Sequence, residues 1–345
     1  MSTAEIREIS RTEYADFLVS ITHSPFQRME WLALVERLYP IRVIPLGCFS
    51  ENRLQAVIPL LRRRYGPAIL FGAPLRKCPV PPATLFCAPP TKVDLVSQAL
   101  ETWVRRQGVG YMQATYPPSP AGVPDAGDMA EKLENLELKL SRPLAELWQL
   151  LSKKTRYTVR RAVKDGVKLH WAFDADFIQT QLKLLHDTYA RQGVQPNYPP
   201  ALYRALLEKR SVTGLRIMYA TVAGRIIAAA WLLAGGDRCY YWDAVTSEEG
   251  RRLSANHALV WCLIRWAKRH RFETIDFVGT ARGGRGGSRP GIGHFKRSMG
   301  ALPVEYHIVY WYSPIYRLAL SVYRSWSYLK QRLALLGRTR DGGNH

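Results

Sequence analysis

The strongest constraint on the fold is an order of predicted elements that occurs twice along this 345-residue chain. Each time, a helix is followed by a β-hairpin, a strand, a second helix and a second strand. The hairpins are formed by the β-rich runs 41–49 with 54–61 and 215–222 with 225–233. Chains that alternate helices and strands in this way form α/β folds. The sequence therefore predicts two similar α/β domains lying side by side, which also suits its length.

The charge of the chain indicates a negatively charged partner. There are 49 Lys and Arg residues against 28 Asp and Glu residues, which gives a formal net charge of +21. A surplus of this size points to nucleic acid, an anionic membrane surface or a phosphorylated substrate. The alternative is a generally basic surface that keeps the protein soluble by self-repulsion. Because 47% of the residues are hydrophobic, packed cores are expected and wholesale disorder is excluded.

Cysteine usage and hydropathy limit the class of protein further. The five cysteines form no CxxC pair and are odd in number. We therefore expect free thiols in a reducing cytosol, and neither a disulfide framework nor a zinc site. Residues 1–10 lack the apolar segment of a secretory signal, and the longest aliphatic run, 226–234, is about half a membrane span. A cytoplasmic protein that does not cross a bilayer is the expectation.

A cluster of cations lies in a helix predicted over 144–165. Four of them are spaced by three and four residues: Lys153, Arg156, Arg160 and Lys164. A helix places all of these on one face, where like charges repel by about 0.2–0.5 kcal/mol per pair. A phosphate-bearing ligand would reverse that cost. The segment is therefore a candidate anion-binding surface, and the alternative is a solvated basic face.

A glycine- and arginine-rich segment, 279–297, directly follows a predicted strand over 274–278 that carries Asp276. Glycines let backbone N–H groups approach a ligand closely, and arginines supply positive charge. The segment matches neither the GxGxxG dinucleotide fingerprint nor the GxxxxGK[ST] phosphate loop. It is either an anion-binding loop or a surface loop without a ligand.

A predicted strand over 238–245 carries Asp243 near its end and leads to a helix over 254–270, with Ser254 as the expected N-cap. A carboxylate beside a helix N-terminus that also carries arginines forms an anion site with an acid or base next to it. The aromatic residues of this strand are expected to pack in the core, and His257 is expected on a helix face.

The C-terminal segment 313–336 predicts an amphipathic helix. Its apolar residues recur at helical spacing, and the charged residues of 317–340 are all basic. A basic amphipathic helix that contains Trp and Tyr can lie in a membrane interface. The alternative is that the helix packs against the body of the protein.

Five short motifs, spread from about residue 24 to 311, carry a resemblance to a known family. They are Ser24-Pro25-Phe26-Gln27 with Glu30-Trp31; Lys154-x-Arg156-x-x-x-Arg160-Arg161-Ala162 with Gly166-Val167; Ala228-Ala229-Ala230; Ala255-Asn256-His257-Ala258-Leu259-x-Trp261; and Ile275-Asp276-Phe277-x-Gly279 with Gly293-x-Phe295-Lys296-x-x-x-Gly300. Together they resemble the FemABX-type aminoacyltransferases and the related FemAB-like acyltransferases of the GNAT superfamily.

The resemblance implies two tandem GNAT-like domains with mixed sheets, over 1–140 and 141–312, followed by a basic amphipathic helix and tail over 313–345. Family members transfer an acyl group to an amine. The peptidoglycan branch takes an amino acid from aminoacyl-tRNA and adds it to a peptide on a nucleotide- or lipid-linked precursor of the cell wall, whereas other members use acyl-CoA. The implied enzyme has no tightly bound cofactor or metal. It is cytoplasmic, with contact to the inner face of the membrane through 313–340 as a further expectation.

One departure from the superfamily favours a tRNA donor. CoA-dependent GNAT enzymes carry a Q/RxxGxG/A turn that holds pyrophosphate at a helix N-terminus, and the matching stretch 251–256 lacks the glycines. The basic surface agrees, because phosphate contacts dominate nucleic-acid affinity. We therefore expect transfer of an aminoacyl group from aminoacyl-tRNA to an amine of a cell-wall or lipid-linked precursor. Two alternatives stay open: an acyl-CoA-dependent N-acyltransferase acting on a saccharide or lipid amine, and a non-catalytic RNA- or membrane-binding protein.

The expected mechanism is direct attack of a neutral amine on an ester or thioester carbonyl between splayed strands, with backbone N–H groups stabilising the oxyanion. Either Asp243 or Asp276 accepts the proton of the amine, unless both are only structural acids. The resemblance places Phe295 and Lys296 against the donor. The further donor-binding candidates are Arg252, Asn256 and Arg289, and the candidates for binding the substrate or an anion are Lys153, Arg156, Arg160 and Tyr241.

Overall fold

The structure, a computed structural model, describes residues 4–65, 68–75, 78, 93–107, 109–116, 127–172, 177–191, 196, 198–280, 290–318 and 321. Its strands are β1 (Ala4–Glu8), β2 (Arg42–Ser50), β3 (Arg53–Tyr65), β4 (Ala68–Ala73), β5 (Tyr111–Tyr116), β6 (Met129–Lys139), β7 (Lys168–Ala172), β8 (Leu215–Val222), β9 (Arg225–Gly235), β10 (Arg238–Thr246), β11 (Thr274–Thr280) and β12 (Leu302–Tyr312). Its helices are α1 (Arg11–Val19), α2 (Met29–Leu38), α3 (Val93–Arg106), α4 (Leu144–Leu150), α5 (Lys153–Lys164), α6 (Phe177–Arg191), α7 (Pro200–Glu208), α8 (Arg210–Thr213), α9 (Glu248–Arg252), α10 (Ala255–Arg269) and α11 (Pro290–Ser298).

All of these strands join one continuous sheet of mixed direction, in the order β1-β2-β3-β4-β5-β12-β6-β11-β10-β9-β8-β7. Among the described strands, β4 runs parallel to β5 and β10 runs parallel to β11, and the other neighbours are antiparallel. Strands β1 to β5 lie at one end of the sheet, and strands β6 to β11 lie at the other. The pairing of β5 with β12 connects the first group to the rest of the sheet. The expected α/β class with a mixed sheet is confirmed.

In strands β8 to β11 each face of the sheet has its own hydrophobic core, because successive side chains of a strand point to opposite faces. In β9, Ala229 and Trp231 belong to one core, and Ala228 and Ala230 belong to the other. The first core, which we call the inner core, extends through the first half of the chain and is covered by α2, α3, α6 and α7. The second, the outer core, is covered by α4, α5 and α10.

The segment before α2 joins the two halves of the molecule. Phe26 has no exposed surface, and its ring makes edge contacts with Trp31 (centroids 4.9 Å apart) and with Tyr240 of β10 (5.0 Å). Edge-to-face pairs of this kind contribute about 0.5–1.5 kcal/mol beyond the burial of their area. The first motif of the sequence is therefore a packing motif that fixes α2 against the second half of the sheet.

The elements depart from the predictions in several places. The helix predicted over 144–165 is two helices, because Ser152 breaks it and caps α5, its Oγ accepting the Thr155 N–H at 3.1 Å. Ser254 holds the N-cap position of α10, but its side chain makes no capping bond. The short elements β1, α1, β4, β7, α8 and α9 were not predicted. Residues 314–318 and 321 are helical and Ser313 is not, and residues 319–320 and 322–336 of the predicted C-terminal helix lie outside the described residues.

No helix in the described part of the chain has both the length and the apolar character needed to cross a membrane.

Candidate functional site

The centre of the candidate site is a gap between β10 and β11. The two strands pair in parallel from Arg238 with Thr274 to Tyr240 with Asp276, and the pairing stops there. Both strands continue, β10 to Thr246 and β11 to Thr280. The sequence prediction of splayed strands near the two aspartates agrees with this geometry.

A β-bulge opens the β10 side of the gap. The register against β9 shifts between Tyr241 and Asp243, so that Trp242 is the extra residue. As a result, Trp242 and Asp243 both lie on the inner-core face, whereas Tyr241 and Ala244 face the outer core. The bulge thus aims the Asp243 carboxyl at the side of the sheet that α7 covers.

The Asp243 carboxyl is half-buried among aromatic side chains. Its Oδ2 accepts a hydrogen bond from the Tyr203 hydroxyl at 2.5 Å. Tyr198 stacks on the neighbouring Trp242 with ring centroids 4.6 Å apart. Burial raises the pKa of Asp243 to about 6, although the bond from Tyr203 acts in the opposite direction. Asp243 can therefore exchange a proton near neutral pH.

Asp276 lies on the β11 side of the gap and is 1% exposed. Its Oδ1 accepts two hydrogen bonds, from Asn135 Nδ2 at 2.9 Å and from the Val278 N–H at 2.8 Å. Burial is the main cause that raises its pKa to about 6, and the neighbouring Glu137 raises it further. The carboxyl is thus held by structural partners, away from solvent.

Lys296 of α11 is the cation of this gap. It is 6% exposed, and its Nζ donates to the Val278 carbonyl at 2.7 Å. Burial lowers its pKa to about 8, against an opposing effect of Asp276. Val278 has a φ of +44° and Gly279 has a φ of +98°. A left-handed backbone is unusual for a β-branched residue, and here Asp276 and Lys296 hold it from both sides.

A cavity of about 160 Å³ lies at the N-terminus of α10, on the outer-core face. It is lined by Thr246, Gly250, Arg251, Ser254, Asn256, His257 and Phe295. Phe295 contacts His257 edge to face, with centroids 4.9 Å apart, and burial lowers the pKa of His257. Asn256 Oδ1 is buried and has no hydrogen-bond partner among the described residues. An acceptor of this kind is available to a ligand that donates a hydrogen bond.

The predicted site residues therefore fall into separate groups. Phe295 and Asn256 line the cavity. Lys296 and Asp276 both form hydrogen bonds with the backbone of Val278. Arg252 is exposed, and Arg251 lines the cavity instead. Tyr241 is 7% exposed and packs on Phe277. Arg289 lies outside the described residues.

The basic residues of α5 have two different environments. Arg156 Nη1 donates to the carbonyls of Gln149 (3.0 Å) and Leu151 (2.6 Å), which end α4. Arg160 lies over the Trp148 ring at 5.3 Å. Lys153 is exposed. The structure thus gives Arg156 and Arg160 packing roles within the protein, in addition to their charge.

Sequence reasoning missed a buried ion-pair network on the inner-core face. Glu137 is 2% exposed and pairs with Arg238 at 2.9 Å, and the Tyr306 hydroxyl donates to it at 2.6 Å. These residues come from β6, β10 and β12, so no local motif could reveal them. The one available signal was that Glu137 lies between two buried leucines in β6, which places its carboxyl on the opposite face of the sheet.

No group of three or more His, Cys, Asp or Glu side chains able to hold a metal ion occurs within the ranges that the structure describes.

Comparisons with known proteins agree with this geometry. Residues 152–297 match the family model of the acetyltransferase (GNAT) domain. No curated protein sequence matches the chain. Among solved structures, FemX has a TM-score of 0.67 at 15% identity, covering 91% of this chain and 99% of that chain. The C-terminal domain of a protein described as a lysylphosphatidylglycerol synthetase from Agrobacterium fabrum has a TM-score of 0.56 at 15% identity, covering 91% and 95%. L-PGS from Bacillus licheniformis has a TM-score of 0.51 at 12% identity, covering 92% and 97%.

Proposed function

We propose that this chain, whose residues 152–297 match the acetyltransferase (GNAT) domain and whose fold resembles that of FemX, is an acyltransferase that transfers an aminoacyl group from aminoacyl-tRNA to an amine of a cell-wall or lipid-linked precursor. The observation that carries the proposal is the gap between β10 and β11. The α10 cavity opens on one face of the sheet, and Asp243 lies on the other face. Donor and acceptor can therefore approach from opposite sides and meet between the unpaired strands.

The turn before α10 supports a donor other than acyl-CoA. Ser254 has a φ of +57°, a conformation that favours glycine, and it occupies the position at which the CoA-binding turn has one. Its side chain takes part of the cavity wall that a glycine would leave to the pyrophosphate. The His257 N–H is already bonded to the Ser254 carbonyl at 3.0 Å. The helix N-terminus is therefore less suited to a pyrophosphate than a glycine-rich turn is.

The proposed step is a direct acyl transfer. The acceptor arrives as an ammonium and loses a proton to the carboxylate, and its nitrogen then attacks the carbonyl of the ester that joins the amino acid to the terminal ribose. The C–N bond forms, the C–O bond breaks, and the ribose hydroxyl leaves with a proton. Binding of both substrates in one gap supplies proximity, and a cation beside the carbonyl stabilises the charge that develops on its oxygen.

Asp243 is better suited than Asp276 to act as the base that accepts the proton of the amine. It is half-buried, with a pKa of about 6, so it is mostly ionised at pH 7 and can still accept a proton. Asp276 is nearly inaccessible, and one of its oxygens already accepts two hydrogen bonds. In this proposal Asp276 is a positioning residue that orients Val278 and, through its carbonyl, Lys296.

Lys296 is suited to be the cation that stabilises the charge on the carbonyl oxygen. At pH 7 about nine in ten of its side chains are protonated, given its pKa of about 8. An ammonium has three donors, and the Val278 carbonyl takes one of them. Its two other protons remain to contact the carbonyl oxygen of a donor whose terminal nucleotide rests on Phe295.

The acceptor proposal draws on the neighbours of the fold. Two of the similar structures carry the name of a lysylphosphatidylglycerol synthetase, a name that describes an aminoacyl group on an anionic lipid. An alternative is an acyl-CoA-dependent N-acyltransferase acting on a saccharide or lipid amine. The description of the matching domain as an acetyltransferase favours it.

The test compares donors on the purified protein. Isotope-labelled aminoacyl-tRNA and labelled acyl-CoA are each incubated with a lysate fraction that contains nucleotide- and lipid-linked precursors, and label in amide linkage is measured. We expect transfer from aminoacyl-tRNA, and we expect Lys296→Met to slow it roughly 100- to 1,000-fold. Consumption of the thioester alone would refute the tRNA proposal. Ser254→Gly is the matched variant, and we expect it to leave tRNA-dependent transfer in place.

A further inference from the structure

The outer surface of the helix layer over the outer core is strongly basic. The cations of α5 and α10 are Lys153, Lys154, Arg156, Arg160, Arg161, Lys164, Arg265, Lys268 and Arg269. Neither helix contains an Asp or Glu. We call this surface the α5–α10 face. In the described part of the chain its one ion pair joins Arg161 to Asp165 at 3.2 Å, and both partners are solvated.

Most of this charge has no role in holding the fold. Arg156 and Lys268 donate to backbone carbonyls, but Lys153, Lys154 and Lys164 are exposed and form no ion pair within the described ranges. Lys153 and Lys154 also lie in the first turn of α5, which has no acid. The helix dipole disfavours cations at that end. Their presence costs stability, so a partner outside the fold is the simplest reason for it.

The α5 ridge has the dimensions and chemistry of a polyanion site. Lys153, Tyr157, Arg160 and Lys164 follow each other at spacings of three and four residues, and Tyr157 is 63% exposed. At 1.5 Å per residue, α5 is about 18 Å long, enough to follow several phosphates of one strand. An exposed ring among cations offers a base a surface to stack on.

The ridge is continuous with the donor cavity. The Ser152 N–H, at the start of α5, donates to the Ser298 carbonyl at the end of α11 at 3.2 Å. The same short helix carries Phe295, which lines the cavity, and Lys296. A nucleic acid whose end occupies the cavity can therefore continue along α11 onto the start of α5, where Lys153 and Lys154 lie.

The surface fits RNA better than a lipid bilayer. Helices that lie in a membrane interface direct Trp, Phe and Leu outward. On this layer the tryptophans contact each other or the sheet instead: Trp148 packs on Trp261 with centroids 4.6 Å apart, and Trp266 packs on Trp171 at 5.2 Å. The exposed side chains of α5 are cations, Tyr157 and a single aliphatic residue, Val163.

The geometry points to the α5–α10 face as the surface that binds the phosphate backbone of an RNA, with Lys153 and Lys154 as its contacts at the end of α5 that adjoins α11. This inference rests on the proposed function in one respect, that the RNA is the body of the acyl donor. It adds the place where that body lies, on the side of α11 away from the acceptor.

The experiment measures binding of uncharged tRNA at several salt concentrations, so that it does not depend on catalysis. Each phosphate contact contributes about 0.7–0.9 to the slope of log K against log salt, which is roughly five- to eight-fold in affinity at 0.1 M salt. We expect Lys153→Gln with Lys154→Gln to lower the slope by about 2 and the affinity at least 20-fold. The control, Arg42→Gln with Arg53→Gln on the exposed β2–β3 hairpin, removes the same charge and should change the affinity less than three-fold.

Two further readouts separate the possible outcomes. The melting temperature of the Lys153/Lys154 variant should be unchanged or higher, which excludes unfolding as the cause of weaker binding. Equal loss in the control variant, or an unchanged slope, would overturn the inference, as would binding of anionic phosphatidylglycerol vesicles through the same lysines with tRNA binding intact. Salt-dependent tRNA binding through these lysines without any aminoacyl transfer would support the surface and refute the proposed function.

Discussion

Replacement of Asp243 by Asn should stabilise the fold while it lowers activity. In the folded protein, burial raises the pKa of this carboxyl from 3.8 to about 6. That difference corresponds to about 3 kcal/mol at pH 7, and because the residue keeps part of its surface in water, which screens the effect, we expect on the order of 1–2 kcal/mol. Asn keeps an oxygen that can accept the Tyr203 hydroxyl, so the neutral side chain loses the charge but retains the bond.

The sign of the pH dependence follows from the direction of the shift. A carboxyl whose pKa is higher in the folded than in the unfolded state binds its proton more tightly when folded. Its contribution therefore makes the protein less stable as the pH rises from about 4 through about 6. Urea unfolding of the wild type and of Asp243→Asn should show a difference near pH 8 that disappears near pH 4.

The activity of the same proteins supplies the second half of the test. If Asp243 is the base, kcat/KM of the wild type rises with pH through about 6, and Asp243→Asn lacks this limb. Tyr203→Phe removes a bond that lowers the pKa, so it should move the limb to higher pH. A variant Asp243→Asn that is less stable than the wild type at pH 8, or that keeps the limb near pH 6, would refute the reasoning.

Three further predictions follow from the same structure. Lys296→Met should lower kcat roughly 100- to 1,000-fold. The activity of the wild type should decline above about pH 8, because Lys296 loses its proton there, and the variant should lack this decline. A pH–rate profile of both proteins checks the two expectations. Phe26→Ala should cost about 3–5 kcal/mol in the free energy of unfolding, because Phe26 is fully buried between the halves of the molecule, and a loss under 1 kcal/mol in denaturant titration would contradict this. Gly250→Ala would place a Cβ against the Ile227 carbonyl oxygen and distort α9, so the KM for the donor should rise several-fold. The control is Gly291→Ala, whose added Cβ has no neighbouring atom within 4 Å.

Local patterns were sufficient for most of the elements. The hairpin of β8 and β9, the strand β10 and the helix α10 have strong periodicity, and their predicted bounds lie within about two residues of those observed. The short elements β1 and β7 were missed because five residues carry too little pattern to separate a strand from a loop. They become strands because a neighbour offers a free edge, which is a tertiary effect.

The candidate site shows the same division. Asp243, Asp276 and Lys296 could be named because a strand end or a family motif marks each of them. Their different environments could not be predicted from the sequence. Burial, the bulge at Trp242 and the left-handed backbone of Val278 depend on strands that are distant in sequence. Tyr203, from α7, was missed for that reason: its bond to Asp243 joins residues 40 positions apart.

The position of β12 has a consequence for the synthesis of the protein. This strand comes from residues 302–312, yet it lies in the middle of the sheet between β5 and β6. Until it has emerged from the ribosome, β5 and β6 present open edges on which other chains can add, and the two halves lack the strand between them. Any fragment that ends before residue 302 should therefore aggregate rather than form a smaller enzyme. The gap between β10 and β11 is completed late, when nearly the whole described chain has been made.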